Sequence, residues 1–362
     1  MLKKDKVLPL ESLRGIAAIS VAIFHFNHNS HIEFLFENSG LMVDFFFVLS
    51  GFVISMNYLD RINSTRDLLL FQKKRFLRLY PLHFLMLFIF LVIELLKLYL
   101  ITYTNIHFKS PVFEKNTVDA LIANIFLLHN FIIPYLSFNG PSWSISAEFI
   151  TYLTFASFVI LTKKHVVLRN ILFIKIIIFS GYFLLELPIQ VEGRMGPIRC
   201  LFAFYLGSLA QIIYSNYFSK IQINSSIPST ILLLFCILSV YFSSDYKYLE
   251  ISRLIPLLFT LSIISLMITS TKSKIFIVLS NRALVYLGSI SYGIYMIHYL
   301  IWTIIDNILE RIFYIQINII NGKILSSLSV LSSDLILLLG LLITIFLAHL
   351  SFKYFESKFI KF

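Results

Sequence analysis

LYPLHFLMLFIFLVIELLKLYLITY, residues 79–103, carries only Glu94 and Lys97 as charges. A bilayer core about 30 Å thick takes roughly 20 apolar residues of helix, so this run is long enough to cross one. Similar apolar runs lie outward from it at roughly 11–28, 40–57, 144–162, 170–187, 197–214, 229–243, 254–270, 284–305 and 334–355. Together they predict an all-α fold, a polytopic membrane bundle of about ten transmembrane helices. A further run, 118–136, is shorter and holds Asn124, His129, Asn130 and Pro134. It reads as re-entrant or interfacial.

Composition agrees. Hydrophobic residues make up 58%, charged residues 14%, and the mean hydropathy is +0.85. Soluble domains carry about 25% charged residues. The net charge of +11 raises the question of nucleic acid, and the distribution of that charge removes it. Nineteen Lys and Arg fall in loops on the side of the amino terminus, eight on the other side, and Arg14, Lys97 and Lys175 lie inside apolar runs. By the positive-inside rule both termini are expected in the cytoplasm, in a multi-pass protein of the inner (plasma) membrane. The partner is then the lipid bilayer and not nucleic acid. Cys200 and Cys236 lie singly in apolar runs, so neither a metal site nor a disulfide is expected. After MLKKDK the first run is broken by Glu11 and Arg14 with no A-x-A site, which reads as an uncleaved helix. No repeat or linker divides the chain, so one integral-membrane domain is expected over 1–362. It ends about seven residues after the last run, with no separate extracytoplasmic domain expected.

Charge inside a bilayer is costly, at least about 2.5–3.5 kcal/mol per group on insertion scales, and by default suggests function. Arg14 and His25 are eleven residues apart in the first run, roughly 16 Å along a helix. The next run returns and carries Asp44 at a depth similar to that of His25. Such a pair would hold one imidazole tautomer and stabilise its charged form; a helix-capping role for Asp44 is the plain alternative. Glu148, in PSWSISAEF, is placed to join the same centre or to serve as a helix-start charge. In SYGIYMIH, Ser291, Tyr295 and His298 recur at i, i+4 and i+7 and share one face, for catalysis or for interhelical hydrogen bonds. In FQKKRFLRLYPLH, Arg75 and Arg78 share a helical face, with Lys73 and Lys74 just before them. Two guanidinium forks at the membrane edge suit phosphates; lipid headgroups are the simpler ligand.

Five blocks, LPLESLRGIAAISVAIFHF (8–26), VDFFFVLSGFVIS (43–55), RFLRLYPLH (75–83), GPSWSISAEF (140–149) and LGSISYGIYMIH (287–298), together resemble the membrane acyltransferase family 3, the O-acetyltransferases of cell-surface polysaccharide and lipopolysaccharide. The tail KYFESKFIKF resembles the family's ending, with Lys358 where proline is usual, and residues 150–285 match only as hydropathy. The resemblance implies an acyl group taken from cytoplasmic acetyl-CoA and passed to a hydroxyl of a glycan or lipid-linked glycan. It implies Arg75 and Arg78, with Lys74, at the CoA phosphates, Arg14 essential near the cytoplasmic mouth, and His25 as the catalytic histidine.

On that reading a neutral His25 takes the proton of the attacking hydroxyl while Asp44 or Glu148 stabilises the imidazolium. Acylation of His25 itself is the alternative. Ser142, Trp143, Ser291, Tyr295 and His298 are candidates for contacts to substrate or oxyanion. The phosphates and His25 lie at opposite ends, so a narrow channel must join them. Arg194, Arg199 and Arg253 on the outer side are placed to meet an anionic glycan, or are plain loop charges. A transporter or flippase of a polar lipid or glycan is the rival reading of the same polar bundle.

Overall fold

A computed structural model describes residues 7–26, 28–104, 108, 111–186, 195–244, 252–315, 317–320 and 323–360. Each of the ten apolar runs falls on a helix. In chain order the principal helices are α1 (Leu8–Phe24), α2 (Met42–Tyr58), α3 (Thr65–Tyr103), α4 (Val118–Ile125), α5 (His129–Ile132), α6 (Trp143–Leu161), α7 (Val166–Glu186), α8 (Gly196–Ile213), α9 (Ile227–Tyr241), α10 (Ile255–Ile268), α11 (Arg282–Ser289), α12 (Ser291–Arg311) and α13 (Val330–Leu350), with α4 and α5 from the run 118–136 and α11 and α12 sharing one run. An antiparallel hairpin of β1 (Ile317–Ile320) and β2 (Lys323–Ser326) joins α12 to α13.

The protein is a membrane-embedded, multi-pass helical bundle. Among the described residues six helical segments are long and apolar enough to cross a bilayer, seven if α11 and α12 count as one bent span. The expected ten is larger. The difference lies in α1, α9 and α10, which are 17, 15 and 14 residues long and at 1.5 Å per residue fall short of a hydrocarbon core of about 30 Å.

Three further features of the fold have local causes. The basic segment before residue 79 is no loop. Ser64 caps α3 by accepting from Asp67 N, while Asp67 accepts from Asn63 N, a reciprocal cap. The helix therefore starts fourteen residues early and runs 39 residues through Pro81, placing Arg75 and Arg78 on a helical face. The run 118–136 forms only α4 and α5, neither long enough to cross, with Leu127 at φ 56° between them. His83 of α3 donates to the Asn124 carbonyl (3.0 Å) and His129 to the Ser142 carbonyl (3.1 Å), which ties this segment to α3 and to the start of α6. Finally, 284–305 is broken at Ile290 by a 68° bend between α11 and α12. The turn is a Gly-Ser kink in which Ser291 Oγ donates to the Gly288 carbonyl (2.8 Å).

Helices α2 and α8 form the centre; their spans are 61% and 67% buried, against 22%, 17% and 22% for the spans of α3, α7 and α13. Lipid is as apolar as leucine, so helices in a bilayer associate by close packing of small residues. A Cβ on Gly207 would stand 1.9 Å from the Val48 carbonyl oxygen, and one on Gly51 1.9 Å from that of Phe204. The helices α1 and α11 meet in the same way: a Cβ on Gly288 would stand 2.0 Å from the Glu11 carbonyl oxygen. Substituting Gly207→Val therefore forces two backbones apart and should lower stability by about 3 kcal/mol or more, above the usual range for overpacking. Thermal denaturation in detergent measures this; a wild-type melting temperature would refute the crossing.

Candidate active site

The site is built on α1 and α12, which lie side by side. Arg14 Nε donates to Ser291 Oγ (3.2 Å) at one end, and the rings of His25 and His298 meet at the other, His25 Nδ1 to His298 Nε2 (3.2 Å). Tyr295 lies between these rungs on the same face of α12, as the spacing of Ser291, Tyr295 and His298 predicts. Nearby, Trp302 Nε1 donates to the Ala22 carbonyl (2.8 Å).

Carbonyl oxygens only accept, and this sets the tautomers. His298 Nδ1 meets the Ile294 carbonyl (3.1 Å) and so carries the proton. Its Nε2 then accepts. His25 Nδ1 lies 2.9 Å from the Val21 carbonyl and carries the proton it shares with His298. The lone pair of His25 is therefore on Nε2, the nitrogen a general base requires.

The neighbours expected for His25 are different. Asp44 holds Arg199 instead, with Nε and Nη2 of Arg199 donating to its two oxygens at 3.2 and 3.0 Å. The guanidinium also lies 5.2 Å from the centre of the Trp143 ring. Arg199 reaches Asp44 because the Gly51–Gly207 crossing sets α2 and α8 in parallel with their amino-terminal ends together. Glu148 is also displaced from the expected centre. Five residues after Trp143 it is about 7.5 Å further along α6 and on another face, where it accepts from the Tyr152 hydroxyl.

Two cavities receive these groups. One, of about 350 Å³, is lined by Arg14, Arg61, Arg75, Arg78, Glu11 and Glu148, with Ser291 at its wall. Its four arginines outnumber its two carboxylates. Arg14 pairs with Glu11 (3.5 Å). Arg75 donates to the Tyr58 hydroxyl (3.3 Å) and lies 5.4–6.0 Å from the rings of Tyr58, Phe71 and Tyr152. Lys74 is exposed and outside this lining, since one residue along a helix turns a side chain by about 100°. The second cavity, of about 420 Å³, is lined by His25, Glu37, Asp44, Trp143, Arg199 and Arg253 among others.

Tyr295 and Val43 line both cavities. Where the sequence predicts one narrow channel, the structure has two chambers back to back. Tyr295 is 5% exposed; its hydroxyl donates to the Pro141 carbonyl (2.7 Å) and meets Ser144 Oγ (2.8 Å). Those bonds hold the ring between the chambers. Ser142 is buried and lines neither chamber. Sequence reasoning missed Arg61, Tyr152 and the Asp44–Arg199 pairing. The Asp44–Arg199 pairing spans 155 residues of chain and the Tyr152 contact with Ser50 spans 102, separations for which no local pattern exists. Arg194 lies outside the described residues.

The Asp44–Arg199 pair yields a sharp expectation. Removing one member of a buried ion pair costs about 3–5 kcal/mol, because the other is left uncompensated. Thermal melts should show Arg199→Ala strongly destabilised and the Asp44→Asn, Arg199→Ala double variant less so. A double variant whose loss equals the sum of the two single losses would mean the pair is not coupled.

Comparison with known proteins fits this architecture. A family model described as an acyltransferase domain matches residues 9–350. The peptidoglycan O-acetyltransferase OatA of Listeria monocytogenes is 28% identical over 83% of the chain and 50% of its own length. The putative peptidoglycan O-acetyltransferase YrhL of Bacillus subtilis is 27% identical over 80% and 48%. A putative acetyltransferase of the Acidianus two-tailed virus is 27% identical over 80% and 82%. The chain thus spans about half the length of the first two relatives. No solved structure matches it. With its matched region taking in nearly every helix and both chambers, the chain belongs to the membrane acyltransferase family 3.

Proposed function

We propose that this protein is a membrane O-acyltransferase that moves an acetyl group from acetyl-CoA, held in the arginine-lined chamber, to a hydroxyl of a cell-surface glycan or its lipid-linked precursor, held in the histidine chamber. The observation that carries this is the arrangement itself: a cationic chamber and a chamber lined by His25, back to back across Tyr295 and Val43. The names of two relatives, peptidoglycan O-acetyltransferases, support a glycan acceptor. The loop charges support both termini in the cytoplasm, about ten crossings and a place in the inner (plasma) membrane.

In this reading Arg75 and Arg78 bind CoA phosphates with forked donors, and Arg14 and Arg61 complete the cationic wall. The aromatic cage around Arg75 fixes its fork. The pantetheine arm passes where Tyr295 and Val43 stand, so the tyrosine leaves Pro141 as the thioester advances. His25 Nε2 takes the proton as the acceptor hydroxyl attacks the thioester carbonyl. The new C–O bond forms, the C–S bond breaks, and the CoA thiolate leaves and is protonated in turn. His298 holds the His25 ring, and its own bond to Ile294 keeps it an acceptor there. The charge that develops on His25 is stabilised from the Val21 carbonyl and from His298, the groups in contact with it.

General-base catalysis is worth roughly 10²–10⁴-fold. The His25→Ala protein should therefore insert and bind acetyl-CoA yet acetylate at least about 100-fold more slowly, measured by mass spectrometry of the glycan. Near-normal acetylation by the purified variant would sink the base assignment. Arg78→Lys keeps charge and loses the fork, so calorimetry should show acetyl-CoA binding weakened by roughly tenfold; unchanged affinity would remove Arg78 from the donor site.

A further inference from the structure

Four helices begin at the histidine chamber. Its wall includes Asp44 in the first turn of α2, Trp143 at the start of α6, Met195 and Arg199 at the start of α8, and Arg253 and Pro256 at the start of α10. Each helix start carries about half a positive charge from its unpaired amides. Against this field stand two carboxylates. Asp44 is committed to both donor atoms of Arg199, and Glu37 is half-buried on the wall.

Arg253 is held in place by a different contact. Its Nη1 donates to the carbonyls of Leu184 and, at 3.2 Å, Leu185, at the carboxyl end of α7. A guanidinium is a rigid fork, so anchoring one arm orients the other. Nη2 is buried and has no partner among the described residues. An arginine serving only to cap α7 has no need to line the chamber that holds His25. The neighbouring Trp143 offers a flat ring of the kind that packs against a sugar face, and about 420 Å³ falls within the range of small-ligand sites.

We propose that the acceptor is anionic: a carboxylate or phosphate on the glycan binds Arg253 at the convergent helix starts while a hydroxyl of the same molecule meets His25 Nε2. This rests on reading the histidine chamber as the acceptor side. It makes Arg253 a specificity-determining residue, recognising the acceptor by charge and setting which hydroxyl lies within reach of the base.

The test uses the purified full chain with three probes: a disaccharide containing one uronic acid, the matching neutral disaccharide, and the neutral disaccharide bearing a glycosyl phosphate. Binding is read by calorimetry without donor, and KM and kcat with acetyl-CoA. The wild type should prefer at least one anionic probe to the neutral one by about tenfold or more in Kd and KM, as expected for a charge-assisted contact. Which anionic probe gains identifies the carboxylate or the phosphate as the group recognised. Arg253→Gln keeps donors for the α7 carbonyls and loses the charge. It should erase the preference, with the change falling on KM rather than kcat, and Arg253→Lys should recover part of it. The proposal is overturned if the wild type binds neutral and anionic probes alike, or if Arg253→Gln weakens all three equally. Anionic preference in binding with no acetylation of any probe would leave this inference standing and count against the proposed function instead.

Discussion

The contact on which the site depends is the backbone approach of α1 to α11 at Gly15 and Gly288. A Cβ on either would fall within 2.0–2.7 Å of the opposing backbone, so only glycine allows that separation. From there the 68° bend delivers α12 alongside α1, and both rungs follow, Arg14 to Ser291 and His25 to His298. A wider crossing would part both at once, because each bond is already near 3.2 Å.

The bilayer explains why the polar residues are arranged as they are. A charge without water needs a partner within reach, and the buried groups of this site find one on another helix or on their own. Asp44 answers Arg199, Tyr152 answers Glu148, and the Val21 and Ile294 carbonyls answer the two imidazoles. The price of keeping charge in a low dielectric is thereby met locally, and the groups that remain face the chambers. Such pairing also separates roles that look interchangeable in the sequence: Asp44 and Glu148 both read there as acids placed to join His25, yet one is an arginine's counter-ion and the other a tyrosine's acceptor on the far chamber.

Tyr295 concentrates the functional question in one ring. It stands between the arginine chamber and the chamber lined by His25, held by the Pro141 carbonyl just before α6 and by Ser144 in its first turn. On the proposed function, such a partition would keep a thioester from water and from the acceptor until the donor arm is seated, which is what a transferase has to do to avoid being a hydrolase.

By itself the sequence determined the class of the fold and singled out Arg75, Arg78 and His25, which line the two chambers. Ten apolar runs are legible because burial in lipid demands length and hydrophobicity from every residue in a stretch, and each run is a helix here. The helical periods that put Arg75 with Arg78, and Ser291 with Tyr295 and His298, are equally local and hold. Only the tertiary structure decided how many of those helices are full crossings, where 282–311 bends, and which partner each buried charge takes. His25 meets His298 across 273 residues, and Asp44 meets Arg199 across 155. A helix period fixes the face a side chain occupies and leaves open which helix that face will meet. That choice is made by where glycines let two backbones close.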